Sequence, residues 1–252
     1  LGAEKFFNIK CRAAGLRPAA AVLACTLKAV KRSGGGDAKN PHAPNAQAIR
    51  DGVANVHAHI DNLRQHGIPA VVAVNRFGQD SEEELSLLTG LVEAHGAPCI
   101  VTNGFAEGSR GVMALAERVL QLIDGDGADF RTLYPDEMGL AEKAETIATR
   151  VYGADGVDFL PPAVRALSRL EELGMGHLPV CMANTPYSFS DDANLLGAPP
   201  DFKITVREVR VSAGGGFVVA LTGEIRTMPG LPKVPSAEVI GLDAKGQIAG
   251  LF

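Results

Sequence analysis

The sequence predicts an α/β fold: a parallel sheet with flanking helices, followed by a smaller α+β C-terminal region. Short apolar runs alternate with amphipathic stretches over the first two thirds of the chain. The runs, "AAAVLAC" (19–25), "IPAVVAVN" (68–75) and "APCIV" (97–101), are rich in small and β-branched residues. They are too continuous for strands that are wet on one side, which suits a parallel sheet covered on both faces. Strand–helix alternation of this kind is the mark of an α/β architecture.

The elements follow in order. "LGAEKFFNIK" opens without an initiator Met and already reads as an amphipathic helix, so the chain is expected to be the middle of a longer protein. "KRSGGGDAKNPHAPN" (31–45) is a long Gly/Pro/Asn-rich loop after the first strand. It is either a surface connection or a loop of backbone amides beside an anionic ligand. Helices are expected at 45–66, 81–95 and 109–123, with Ser81-x-x-Glu84 as a capping box. "IDGDGADF" (123–130) is a turn-rich linker and divides the chain into regions 1–128 and 129–252. Helices follow at 139–152 and 161–173, the second starting at Pro161-Pro162, where a first-turn proline fits. "FKITVREVRVSA" (202–213) then alternates at period two, and "GGFVVALTGEI" (215–225) returns after Gly214-Gly215, a β-hairpin with one wet face.

Composition narrows the function. A net charge of −5 disfavours nucleic acid or an anionic membrane as partner. No apolar run approaches the roughly 20 residues of a spanning helix, and no signal-peptide pattern is present. Cys11, Cys25, Cys99 and Cys181 are widely spaced and read as core thiols of a reducing cytoplasm rather than a zinc or disulfide framework. His57, His59 and His66 share one helix without metal-ligand spacing and read as solvated.

The chemistry concentrates at strand ends, because open parallel sheets bind ligands beyond the carboxyl ends of their strands. Asn75, Arg76 and Phe77 stand there after the second run, with Gly78 next, and "IVTNGFAEGSRG" sets Phe105 among glycines after the third. Two aromatic rings so placed could stack on both faces of a flat heterocycle. Alternatively, both rings fold back and cap the core. The run "VVAVNRFGQD" resembles the base-reading strand end of P-loop nucleotide enzymes, yet GxxxxGK[ST] occurs nowhere in the chain.

Several stretches are long and unusual: "LGAEKFFNIKCR", "VVAVNRFGQDSEEEL", "YGADGVDF", "ELGMGHLPVCMANTPYSFSDD", "LLGAP" and "FKITVREVRVSAGGGFVVALTGEIRTMPGLPKVPSAE". With them, in this order, the sequence resembles the C-terminal half of formate–tetrahydrofolate ligase (10-formyltetrahydrofolate synthetase). The resemblance implies a cytoplasmic homotetramer whose α/β part belongs to a P-loop NTPase-like domain. It implies ATP with Mg²⁺, formate and tetrahydrofolate as substrates, and leaves open a monovalent cation. ATP would phosphorylate formate, and formyl phosphate would pass its acyl group to N10 of the folate. The folate pterin would be clamped between Phe77 and Phe105, with Asn75, Arg76 and Gly78 beside them.

Phe105 stands where the family usually carries Trp, which predicts weaker or altered folate affinity. Asn184 and Pro186 stand where Lys-Thr-Gln is usual, and Ser33 where His is common. The family's phosphate-binding loop and the basic residues holding formyl phosphate would lie upstream, so no catalytic residue is assigned and the chain alone is expected to be inactive. A non-catalytic, ligase-derived binding or assembly module, and an unrelated P-loop-type switch protein, are the competing readings.

Overall fold

A computed structural model describes residues 1–125, 127–184, 188–223, 233–244 and 246–250. The chain starts in helix: α1 (Gly2–Lys5) passes through a π-helical turn, Phe6–Cys11, into α2 (Arg12–Ala14), and Gly15 ends it in the left-handed conformation. Then come β1 (Ala21–Cys25), α3 (Leu27–Ser33), α4 (Ala46–Gln65), β2 (Ala70–Asn75), α5 (Glu82–Ala94) and β3 (Cys99–Thr102). The three strands form a parallel sheet in the order β1-β2-β3. Its core is built from Val72 and Val74 of β2, Ile49, Val53, Val56 and Ile60 of α4, and Leu85, Leu88 and Val92 of α5. Each crossover helix thus lays its apolar stripe on the strands it connects.

The expectation of a sheet covered on both faces holds for β2 and fails for β1. Val71 and Ala73 are buried as fully as their neighbours. On the edge strand β1, Val22 is 46% exposed and Ala24 is also exposed, because no described element lies over that side. The short helix α6 (Gly104–Glu107) and a 3₁₀ turn (Gly108–Val112) lead from β3 into α7 (Met113–Asp124), which packs against β2 and β3.

The second region has a core of its own around Leu140, Ile147, Met182, Ile204 and Val218. It holds α8 (Leu140–Arg150), β4 (Val157–Phe159), α9 (Pro161–Glu172), β5 (Val180–Ala183), β6 (Ile204–Ser212) and β7 (Phe217–Thr222). The predicted hairpin is β6–β7, antiparallel, with an irregularity between Val206 and Glu208. Residues 224 and 225 of the second predicted strand lie outside the described residues. The sequence reading missed that this hairpin is the centre of a four-stranded sheet, β4-β6-β7-β5, whose outer strands pair in parallel. β4 and β5 are three and four residues long, too short for a periodic signal. A two-stranded ribbon, β8 (Gly241–Leu242) with β9 (Ile248–Ala249), comes last.

The two regions are stitched along α4. The Asn62 side chain donates to Val151 O at 3.0 Å and Gln65 to Arg150 O at 2.7 Å, while Asp129 N donates to Gly67 O. No described helix is long and apolar enough to cross a membrane.

Candidate functional site

The strand ends are where the sequence places the site, and register fixes their relation. Asn75 at the end of β2 pairs with Thr102 at the end of β3. Phe77 therefore lies two residues beyond one strand and Phe105 three beyond its neighbour. Neither ring folds back into the core: Phe77 is 40% exposed and Phe105 is 93% exposed. Burying such a ring is worth about 2–3 kcal/mol, so leaving both open forgoes a substantial gain.

Two hydrogen bonds close the turn after β2. Phe77 N donates to Asp80 Oδ2 at 2.8 Å and Asp80 N donates to Phe77 O at 3.0 Å, closing a tight loop around Gly78 and Gln79. A side chain at Gly78 would meet nothing within 4 Å, so its own fold does not demand glycine there. Arg76 N is tied to Thr102 O at 3.0 Å, and its guanidinium donates to Glu82 at 2.6 Å. Asn75 is exposed. Arg76 shares a groove of about 600 Å³ along α5 with Asn103, Glu107 and Arg110, but Asn75, Phe77, Gly78 and Phe105 do not line it.

Ser81 caps α5 as predicted, accepting from Glu84 N at 3.2 Å. Glu84 does not complete the box. Its carboxylate instead takes Lys31 Nζ at 3.0 and 3.3 Å and Asn45 N at 2.7 Å, and Lys31 also donates to Ala43 O at 3.0 Å. This buried pair, 4% and 7% exposed, pins the glycine-rich loop to the helix behind Phe77.

The glycines of that loop serve packing rather than anion binding. The amides of Gly34, Gly35 and Gly36 are spent on Val30, Lys31 and Arg32 carbonyls at the end of α3. A Cβ on Gly34 would stand 2.0 Å from Ala48 O, and one on Gly52 1.9 Å from Val30 O, so α3 and α4 meet backbone to backbone.

His66 is buried, contrary to the sequence reading, whereas His57 and His59 are half-buried. His57 stacks on His95 at 4.0 Å, His59 packs on Phe189 at 5.0 Å, and His66 is buried, its Nδ1 2.9 Å from Asn62 O. Burial lowers the pKa of all three. Among the described residues no three His, Cys, Asp or Glu side chains converge as a metal site. Burial pushes the thiols of Cys25 up to about 12 and Cys99 to about 11, which removes both as ready nucleophiles.

Ser33 and Asn184, two of the four unusual positions, line one cleft of about 500 Å³ together with Lys5, Arg32, Asn55 and His59. Asn184 is structural there, donating to Ser190 O at 2.9 Å and accepting from Thr222 Oγ1 at 3.2 Å. Pro186 lies outside the described residues. The residues that sequence reasoning missed are His42, whose ring lies edge-on to Phe77, Asp80, which accepts from Phe77 N, and Lys31, which anchors the loop that carries His42. Of these only Asp80 left a local signal, in the turn-forming "FGQD".

Known proteins match the whole of the chain. The sequence model of the family described as "Formate--tetrahydrofolate ligase" matches residues 1–252. Formate–tetrahydrofolate ligase of Paracoccus denitrificans (strain Pd 1222) is 54% identical over 252 residues, and that of Ruegeria sp. (strain TM1040) 50% over 252. The Symbiobacterium thermophilum protein of the same name is 51% identical over 253 residues. Each alignment covers 100% of this chain and 45% of the relative, so the chain spans less than half the length of these relatives. The chain belongs to the formate–tetrahydrofolate ligase family.

Proposed function

We propose that the chain supplies the folate-binding and C-terminal portion of an ATP-dependent ligase that joins formate to tetrahydrofolate. The match of the family to all 252 residues carries this reading. The two exposed rings at neighbouring strand ends are its local counterpart.

In this reading ATP transfers its terminal phosphoryl group to a formate oxygen. The lone pair of folate N10 then attacks the formyl carbon, the bond from that carbon to the phosphate oxygen breaks, and N10 gives up its proton. Phe77 and Phe105 hold the pterin by stacking, and Asn75, Arg76 and Gly78 border it, so N10 is oriented before the acyl group arrives. Mg²⁺ would neutralise the transferring phosphates. The described residues offer no converging carboxylates for it, and the amides of the glycine-rich loop are already bonded, so no phosphate or metal step is assigned to this chain. Region 1–128 is then part of a P-loop NTPase-like domain and 129–252 a separate C-terminal domain. The setting is a cytoplasmic homotetramer, with a monovalent cation as an optional activator.

Calorimetry with tetrahydrofolate and ATP tests the division of labour. The 252-residue chain is expected to bind tetrahydrofolate and to show no ATP turnover. Phe77→Ala is expected to weaken folate binding about 10- to 100-fold, the range of a lost stacking platform. Unchanged affinity in that variant overturns the site, and formyltetrahydrofolate made by the chain alone overturns the division. Folate binding without turnover in the intact polypeptide would instead identify a non-catalytic binding module.

A further inference from the structure

Phe77 is held by a residue that its own strand does not supply. His42, near the end of the glycine-rich loop, sets its ring edge-on to Phe77, with centroids 6.2 Å apart and planes at 69°. Its Nδ1 is buried without a hydrogen-bond partner and stands 4.0 Å from Asp80 Oδ1. The Asp80 side chain is 1% exposed, and its other oxygen accepts from Phe77 N. The residue after His42 is the anchor of the loop, since Ala43 O accepts from the buried Lys31. A segment whose glycine amides face its own helix therefore reaches the strand end through one imidazole.

We propose that His42 is a positioning residue for the Phe77 stacking site. Its ring is the wall that fixes the Phe77 ring plane, and the Lys31–Glu84 pair fixes His42. The glycine-rich loop thereby sets how a flat heterocycle lies on Phe77, although its glycine amides are bonded to its own helix. An edge-on aromatic contact restrains the ring about which it packs, so a ligand meets a preformed platform instead of ordering one as it binds. The buried Nδ1 beside Asp80 also gives the loop a place to tighten, because a shift of about 1 Å would bring the two within hydrogen-bond distance.

The consequence for tetrahydrofolate rests on the folate reading, whereas the ring contact does not, and the experiment separates them. Phe77 ring-proton shifts are measured by NMR in the wild type, His42→Ala and His42→Phe, and tetrahydrofolate affinity is measured in the same proteins and in Phe77→Ala. His42→Ala is expected to move the Phe77 ring resonances and to weaken folate binding about 2- to 12-fold, with the melting temperature close to wild type. His42→Phe, which keeps an edge-on ring, is expected to restore affinity to within about twofold. Unmoved Phe77 resonances in His42→Ala overturn the positioning role whatever the ligand. Unchanged affinity in His42→Ala, with binding lost in Phe77→Ala, overturns its effect on the ligand alone. Unchanged affinity in Phe77→Ala overturns the folate reading and leaves the ring contact to the NMR result.

Discussion

Among the described residues each region of the molecule buries one lysine, and the two are satisfied in different ways. Lys31, in the parallel-sheet region, meets a carboxylate, Glu84, which is itself buried and takes a backbone amide as well. Lys143, in the mixed-sheet region, is fully buried and donates to three backbone carbonyls, of Asp136 at 2.8 Å, Gly176 at 2.7 Å and Leu178 at 3.2 Å. Burial lowers its pKa, and nearby charges only partly offset that. The first lysine holds a loop against a helix beside the candidate site. The second braces the two segments that enter and leave the helices of its own core. A paired charge fixes one partner in one place, while carbonyls spread over three segments tie down whole stretches of backbone.

The comparison predicts that removing half of the pair is the more damaging change. Lys31→Met leaves Glu84 buried without its cation and is expected to cost about 3–5 kcal/mol in urea unfolding. Replacing both, Lys31→Met with Glu84→Leu, is expected to recover most of that loss, since no orphaned charge remains. A double variant as unstable as the single would break the comparison. Lys143→Met strands three carbonyls but no opposite charge, and is expected to cost about 2–3 kcal/mol by the same measurement. A larger loss than for Lys31→Met would reverse the ranking.

The pH response sharpens the same contrast. A lysine whose folded pKa is lowered binds its proton less readily when folded than when unfolded. Its contribution to stability therefore rises as pH climbs from the lowered value towards the ordinary lysine range. Wild type is expected to gain stability on that alkaline side relative to Lys143→Met, and parallel curves would show that Lys143 titrates normally.

The smallest expected effect lies within the first region, between its anchored and its bare ring. Phe77 has a turn, an aspartate and a histidine around it, while Phe105 is almost fully exposed on a four-residue helix. Phe105→Trp enlarges the stacking face without disturbing packing, and is expected to tighten tetrahydrofolate binding about 2- to 10-fold by calorimetry. Unchanged affinity would mean that Phe105 does not touch the pterin.

How legible these features were depends on the range of the interaction behind them. Strand β2 and helices α4, α5, α8 and α9 follow from periodicity, because each buries a continuous run or stripe of its own residues, and β1 and β3 follow from apolar runs of the same composition. Ser81 announced the start of α5 for the same local reason. The partner of Glu84 could not be read, since Lys31 lies 53 residues earlier. β4 and β5 exist as strands because β6 and β7 offer them edges to pair with, not because three or four residues prefer to be extended. The exposure of Val22 was equally hidden: an apolar strand looks the same whether one of its faces is covered or both.

By itself the sequence determined the α/β pattern, the positions of Asn75, Arg76, Phe77 and Phe105 at strand ends, and the family. Those features are written in local composition and in contiguous motifs. Tertiary structure alone decided that the glycine loop packs α3 on α4, that His42 sets its ring against Phe77, and that Ser33 and Asn184 share a cleft. Each of these joins segments far apart in the chain, and only the packing of their side chains selects which of the possible partners meet.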